Sequence, residues 1–267
     1  MATSDPPVTR LLRGVTAVEV LVLIVSGGGL FFLPTLLGPL WPWALAPFNT
    51  RFLGGVYLAS MVSAAALAYV GRWGVARLIV PMIFVFTAIV LGVSVGYADR
   101  FTQSPLSTLA WFVLYVGIPL NALYHLWIYR KMLPVPGAPL PSWLRILLGA
   151  QVLALGGYGV LLFAAPGTAS GFWPWALDDF HARMYSVAFI TPALGAWLLL
   201  RSASAPELRA LGFTQIVGGL PIVGLIIVDS VVQRVSWSAA GTWLWIVLFG
   251  AVFGMGMTLL WQARARR

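Results

Sequence analysis

Eight long apolar runs recur along this chain of 267 residues. They lie at residues 11–36, 52–70, 78–97, 106–128, 146–165, 184–200, 211–232 and 244–261. Each is close to the roughly 20 residues with which an α-helix crosses the hydrocarbon core of a bilayer. Hydrophobic residues make up 60% of the chain and charged residues only 9%, which leaves too little polar surface for a soluble globule of this size. The sequence therefore predicts an all-α integral membrane protein with eight transmembrane helices.

The basic residues follow these predicted spans. Of the 16 Lys and Arg residues, all but four would flank one side of a membrane that the chain crosses eight times. The exceptions are Arg51, Arg100, Arg183 and Arg234. Since the side richer in basic residues is usually cytoplasmic, we expect both termini in the cytoplasm. Because the charge follows the membrane, the net charge of +9 does not indicate a nucleic acid as a partner.

The chain also contains an internal repeat. The pentapeptide Trp-Pro-Trp-Ala-Leu occurs at residues 41–45 and again at residues 173–177, an offset of 132 residues without a gap. Polar matches at this offset include Arg13 with Arg145 and Arg77 with Arg209, and an offset of 134 continues the match towards the end of each copy. Each copy holds four predicted spans. We therefore predict two tandem four-helix repeats, residues 1–135 and 136–267, related by a pseudo-twofold axis along the membrane normal.

The Trp-Pro element of the repeated pentapeptide resembles the tryptophan-rich sensory protein family. That family is a single unit of five spans, so the resemblance implies no residue roles for this chain. The Phe-Trp-Pro-Trp segment at residues 172–175 is also similar to segments of bacterial multispan proteins. This second resemblance implies a bacterial cytoplasmic membrane but no activity.

Arginine and tryptophan side chains cluster in the sequence on the side with few basic residues. The arginines form two repeat-related pairs, Arg51 with Arg183 and Arg100 with Arg234. The neighbouring tryptophans are Trp41, Trp43, Trp173 and Trp175. One interpretation is a shallow vestibule in which paired guanidinium groups bind a carboxylate or phosphate group. The other is an interfacial aromatic belt with surface ion pairs.

Glu19 is the one carboxylate well inside a predicted span, and its counterpart in the second copy is Gln151. Seven residues further along the same helix faces lie Ser26 and Tyr158, so both copies carry a polar stripe. An acid inside a membrane is costly unless it is neutral or paired, which makes Glu19 a candidate binding residue. We expect it to be neutral and to face the bundle interior near Gln151. The alternative is a hydrogen bond between the two that only holds helices together.

Two histidines and several aspartates raise the question of a metal or pigment. Asp178, Asp179 and His181 have a spacing found among metal ligands, but the first copy has none of these residues, and a site needs three or four ligands. The other histidine, His125, is predicted at a different depth, which disfavours one haem held by both. The chain has no cysteine, so disulfides and thiolate clusters are excluded. We expect no metal and no cofactor.

Three classes of function fit these features. The first is a transporter or binder of a small amphipathic or lipid-like molecule, with its site between the two repeats. The second is a non-catalytic structural subunit of a larger membrane complex, with the Gly250 to Gly256 face as a seam for a homodimer or a partner subunit. The third and weakest is an intramembrane enzyme, since no nucleophile–base pair, zinc motif or nucleotide loop is present. The expected partners are membrane lipid, an amphipathic ligand and such a subunit.

Overall fold

A computed structural model of the chain describes residues 5–133, 135, 137–233 and 235–266, with side chains described outside 226–233. Over these residues the protein is an all-helical bundle. Eight helices are long and apolar enough to cross a membrane, which confirms the predicted number. In chain order, α1 to α8 are Arg10–Phe32, Pro47–Val70, Trp73–Gly96, Pro105–Tyr129, Ser142–Ala164, Asp179–Arg201, Ala205–Gln233 and Ala240–Arg264. This architecture fits a multi-pass integral membrane protein.

Proline ends the first and fifth helices in the same way. Leu33 and Ala165 each precede a proline, and the residue before a proline disfavours the helical conformation. Accordingly Leu33 has φ −126° and ψ 51°, and Ala165 has φ −132° and ψ 61°. After each break the chain forms one short helical turn and one 3-10 turn. These turns are Pro34–Leu37 and Gly38–Leu40 in the first copy, and Pro166–Ala169 and Ser170–Phe172 in the second.

Four helices begin five or six residues before the predicted apolar runs, so those predicted boundaries were wrong. The reason is that the first five or six residues of these helices include charged side chains such as Arg51 and Arg77, so that they fall outside the apolar runs. In α2, Pro47 occupies the first helical position, where its missing N–H costs nothing. In α6, the Asp178 side chain accepts a hydrogen bond from the His181 N–H and caps the helix. The α6 helix also has a one-residue turn at Ser186, between Asp179–Tyr185 and Val187–Arg201.

The helix packing places four helices at the centre. α2 packs against α7, and α3 packs against α6. The remaining helices lie outside them, with α1 on α2, α4 on α3, α5 on α6 and α8 on α7. We call the end of the bundle with the two Trp-Pro-Trp segments the tryptophan end, and the end where the chain enters α1 and leaves α8 the terminal end.

Glycines bring two outer helices close to their inner neighbours. A Cβ at Gly27 in α1 would lie 3.0 Å from the backbone nitrogen of Leu58 in α2. A Cβ at Gly159 in α5 would lie 3.0 Å from the backbone nitrogen of Ile190 in α6. Helices without a large side chain at the crossing can approach closely enough to gain dispersion energy in an apolar environment. Gly27 and Gly159 therefore pack internally.

Candidate functional site

A cavity of about 660 Å³ lies inside the bundle. Its wall contains residues from all eight long helices, so both copies of the repeated sequence contribute to it. It extends to Leu40, Trp41 and Pro42 at the tryptophan end. Most wall residues are apolar, and the volume is within the range of about 300–1,000 Å³ that is usual for sites of small organic ligands.

Polar groups are few in this wall. Among the lining residues that the structure describes, Glu19 is the only Asp, Glu, Lys or Arg. The hydroxyl groups belong to Ser26, Ser60, Ser63, Thr87, Ser107, Thr191 and Thr214, together with Tyr57 and Tyr115. Some of them are satisfied within their own helix, as where Ser26 donates to the Val22 carbonyl oxygen at 2.7 Å. The cavity thus combines an apolar body with one acidic group.

Glu19 shares the cavity wall with a pair of buried tyrosines. The hydroxyl oxygens of Tyr57 and Tyr115 share a hydrogen bond of 3.0 Å. On the α7 side of the wall, Ser63 and Thr214 share a hydrogen bond of 2.7 Å and so join α2 to α7. Polar side chains of α1, α2, α4 and α7 thus contribute to this wall.

Three wall residues carry buried polar atoms without a hydrogen-bond partner. Gln215 is 2% exposed, and neither its amide nitrogen nor its amide oxygen is paired. The Thr191 hydroxyl and the Trp41 indole nitrogen are likewise unpaired. A buried polar group in this state costs about 1–3 kcal/mol. These atoms have almost no accessible surface, so they lie behind the cavity surface rather than on it.

The structure separates the residues of the two predicted polar stripes. Glu19 and Ser26 of α1 both line the cavity. Gln151 and Tyr158 of α5 are not among the wall residues that the structure describes. Gln151 is buried with both amide atoms unpaired, and the Tyr158 hydroxyl donates to the Ala169 carbonyl oxygen at 3.2 Å. Only the stripe of the first copy therefore faces the cavity.

At the tryptophan end, each Trp-Pro-Trp segment bonds to the helix that follows the other segment. The Trp43 indole N–H donates to Nε2 of His181 at 3.2 Å. The Trp175 indole N–H donates to Oδ1 of Asn49 at 2.7 Å. Trp175 follows Trp43, and His181 follows Asn49, at the same offset of 132 residues. The two bonds are therefore reciprocal.

Ring packing follows the same pattern. Trp43 lies edge-on to Phe180 with ring centroids 5.3 Å apart, and Trp175 stacks on Phe48 at 4.2 Å. Of the four predicted tryptophans, Trp41, Trp43 and Trp173 are buried and Trp175 is half-buried. These rings pack between helices of the bundle, whereas a belt at the lipid boundary would expose them.

The predicted arginine cluster is described only in part. Arg100 is exposed and forms an ion pair of 3.7 Å with Asp178. Arg183 is half-buried, and its guanidinium carbon lies 5.9 Å from the ring centroid of Tyr97. The other two members are Arg51, which is half-buried, and Arg234, which lies outside the described residues. Convergence of all four arginines on one rim stays a prediction.

Both ring nitrogens of His181 form hydrogen bonds with protein side chains. Asp178 Oδ1 accepts from the backbone N–H of His181 at 2.9 Å and from Nδ1 of the ring at 2.7 Å. Since Nδ1 donates, Nε2 holds a lone pair that accepts from Trp43. The hydrogen bond from the ring lowers the pKa of Asp178 to about 2. No group of three His, Asp or Glu side chains in the described parts of the chain could hold a metal.

His125 lies at the terminal end, opposite His181. It is buried, with Nδ1 at 2.7 Å from the Asn121 carbonyl oxygen and Nε2 at 2.7 Å from the Thr9 hydroxyl. The carbonyl can only accept, so Nδ1 donates and Nε2 accepts from Thr9. Both ring nitrogens are thus used for joining the segment before α1 to α4.

A second acid inside a helix was missed by the sequence analysis. Glu207 is 0% exposed and forms an ion pair with Arg77 of α3. Its Oε2 accepts from both the backbone N–H and the hydroxyl of Ser204 at 2.8 Å. Glu207 was placed outside the membrane because the seventh span was predicted to begin at Leu211, whereas α7 begins at Ala205. The Ser-x-x-Glu spacing is a capping-box signal and could have revealed it.

Comparison with protein-family models, with curated proteins and with solved structures finds no match.

Proposed function

We propose that the protein is a membrane-embedded binder or transporter of a small amphipathic or lipid-like molecule. The cavity carries this proposal, because a largely apolar volume whose wall contains one acidic residue and several hydroxyl-bearing residues suits a molecule with an apolar body and a polar head. The ligand would lie between the two four-helix repeats, residues 1–135 and 136–267.

The helix packing supports the two-repeat arrangement. The largest helix contacts in one half have equivalents in the other: α1 on α2 corresponds to α5 on α6, and α4 on α3 corresponds to α8 on α7. The contact of α2 with α7 corresponds to that of α6 with α3. A pseudo-twofold axis along the membrane normal would relate these pairs, as in transporters with parallel repeats. The ligand site then lies where such proteins hold their substrates.

The charge distribution supports an orientation with the terminal end in the cytoplasm. All but four of the 16 basic residues lie towards that end of the predicted topology. Positively charged loops are retained on the cytoplasmic side of a bacterial membrane. The tryptophan end, with Arg100 and Asp178, would then face outwards.

A bulky side chain where the cavity wall reaches the outer surface tests the proposal. Ala110 of α4 lines the cavity and is exposed, so Ala110→Phe narrows the opening with little change to the core. The matched control is Leu244→Phe, 134 residues further on, where an exposed side chain lies outside the described wall. The probe is 11-bromoundecanol, whose bromine quenches tryptophan fluorescence, added to protein in nanodiscs. Trp41 and Trp111 in the wall report its arrival.

We expect saturable quenching in the wild type and in Leu244→Phe. In Ala110→Phe the apparent affinity should fall about tenfold or more, since each 1.4 kcal/mol of lost contact or added strain is a factor of ten. Quenching that is linear in probe concentration, or equal in the two variants, would show that the cavity does not bind amphipathic molecules.

The alternative is a structural subunit of a larger complex. Its support is the outer face of α8, where a Cβ at Gly250 or Gly254 would meet no atom within 4 Å. Gly256 does not belong to this free face, because a Cβ there would lie 2.7 Å from the Gly212 carbonyl oxygen of α7. Native mass spectrometry of the gently purified protein distinguishes the two functions: a bound small molecule favours the binder, and a stoichiometric second chain favours the subunit.

A further inference from the structure

The cavity wall contains an acidic residue but no basic one among its described residues. Glu19 is its only acidic residue, and none of the described wall residues is Lys or Arg. The nearest arginine along α1 is Arg13, about 9 Å away along the helix axis. Its Nε donates to the Ala68 carbonyl oxygen at 2.9 Å, so it is engaged by the end of α2. A buried acid in apolar surroundings is neutral unless a counter-ion is present, and a cationic ligand in the cavity would supply that counter-ion.

Four aromatic rings line the same cavity and contact one another. Trp111 lies 4.2 Å from Tyr115 and 5.6 Å from Trp41 between ring centroids, and Trp41 lies 5.9 Å from Tyr57. Aromatic rings attract ammonium groups through their negative faces. A ring cluster in the same cavity wall as an acidic residue is thus a suitable environment for an organic cation.

The second copy lacks this combination. At the positions equivalent to Glu19, Tyr57 and Tyr115 it has Gln151, Phe189 and Phe249. The three polar groups are therefore replaced by one amide and two hydrocarbon rings. Phe189 and Phe249 also line the cavity, where they extend its apolar part. The polar head of a ligand would consequently bind on the side of the first copy and its apolar body on the side of the second.

The cavity wall is continuous with the outer surface between α1 and α4. Leu21 and Val25 of α1 are 64% and 67% exposed, yet both belong to the wall. Ala110 of α4 is also exposed and lines the cavity. All three lie within helices long enough to cross a bilayer. An amphipathic molecule dissolved in the lipid could therefore enter sideways without passing through water.

We propose that the ligand is a hydrophobic amine, whose ammonium group pairs with Glu19 beside the Tyr57, Tyr115 and tryptophan rings and whose apolar part enters from the bilayer between α1 and α4. This inference rests on the proposed function, and it names the ligand class. The same ammonium chemistry occurs in free alkyl or aryl amines and in lipid head groups.

The test compares three probes with the same chain: 11-bromoundecylamine, 11-bromoundecanol and 11-bromoundecanoate. Each is titrated at neutral pH into wild-type protein in phosphatidylglycerol nanodiscs, with empty nanodiscs as the reference for partitioning. We expect the amine to quench tryptophan fluorescence with an affinity roughly ten- to hundredfold higher than that of the alcohol, with the carboxylate weakest. Equal binding of amine and alcohol, or tighter binding of the carboxylate, overturns the amine inference while the proposed function stands. Binding of none of the three overturns both.

Two variants test whether Glu19 causes the preference for the amine. In Glu19→Gln the preference for the amine over the alcohol should disappear, whereas in the control Gln151→Leu, at the equivalent position outside the described wall, it should persist. A preference that survives Glu19→Gln overturns the role of Glu19. If Glu19→Gln does not fold, the probe series on the unmodified protein still decides the ligand class.

A change of lipid distinguishes the two sources of the ammonium group. Weaker amine binding in phosphatidylcholine nanodiscs would identify the lipid ammonium group as a competing ligand, and equal binding in both lipids would assign the site to free amines.

Discussion

At the scale of single residues, the tryptophan end shows how similar segments acquire different partners. Trp43 bonds to a histidine ring, and Trp175 bonds to an amide oxygen. Both acceptors, His181 and Asn49, are buried, so each depends on the indole N–H to replace the water it loses on folding. The two bonds therefore stabilise the contact of each Trp-Pro-Trp segment with the helix that follows the other segment.

Removing one of these donors tests this contact. Trp175→Phe keeps a ring in place but leaves Oδ1 of Asn49, in a residue that is 4% exposed, without its partner. We expect a loss of about 1–3 kcal/mol in the free energy of unfolding. The control is Trp243→Phe, which removes a bond to the Trp237 carbonyl oxygen at an exposed site and should change stability by about 0.5 kcal/mol or less. Unfolding in detergent followed by circular dichroism measures both, and equal losses would contradict the prediction.

Sequence reasoning reached these residues only in part. The sequence repeat showed that Trp43 and Trp175 occupy equivalent positions along the chain, but the partner of each depends on how distant helices pack, which no local pattern encodes. Glu19 was found because an acid inside an apolar run is conspicuous. Glu207 was missed because it precedes the apolar run, and its counterpart at the repeat offset is Val75, so the search for shared polar residues passed over it.

At the scale of helices, close packing depends on which glycines face a neighbour. A Cβ at Gly54 in α2 would lie 2.5 Å from the backbone nitrogen of Phe31 in α1. A Cβ at Gly28 would meet no atom within 4 Å. Gly27, Gly28 and Gly29 are adjacent in the sequence, but only the register of the packed helices decides which of them is essential.

Two alanine substitutions separate these cases. Gly54→Ala should destabilise the protein by about 1–3 kcal/mol, because the new methyl group meets the α1 backbone, which cannot rotate away. Gly28→Ala should leave stability unchanged or raise it by up to about 1 kcal/mol, since alanine favours the helix more than glycine does. Melting temperatures in detergent give the comparison. Similar losses in both variants would show that the α1–α2 crossing is looser than the structure indicates.

At the scale of the whole molecule, the two halves are joined at both ends around the cavity. The reciprocal tryptophan bonds join them at the tryptophan end. Towards the terminal end, Arg77 of the first half pairs with Glu207 of the second and also donates to the Ser202 carbonyl oxygen at 2.8 Å. A cavity between two halves needs such ties, since the space itself contributes no contacts.

Substituting the ion pair of Arg77 and Glu207 tests the contact between the two halves of the chain towards the terminal end. Glu207→Gln keeps an acceptor for the Ser204 N–H but leaves the Arg77 guanidinium, with a side chain 12% exposed, without a counter-charge. We expect this variant to lose about 3–5 kcal/mol, the usual cost of removing one partner from a buried ion pair.

Adding Arg77→Met to Glu207→Gln removes the guanidinium charge that lacks a partner. The double variant should therefore be more stable than Glu207→Gln alone, although it carries one more substitution, because an apolar replacement of a buried pair is often neutral. Unfolding free energies of the wild type, both single variants and the double variant form a thermodynamic cycle. Losses that simply add would mean that the two side chains are not coupled, and the two halves would then be joined only by helix packing at this end.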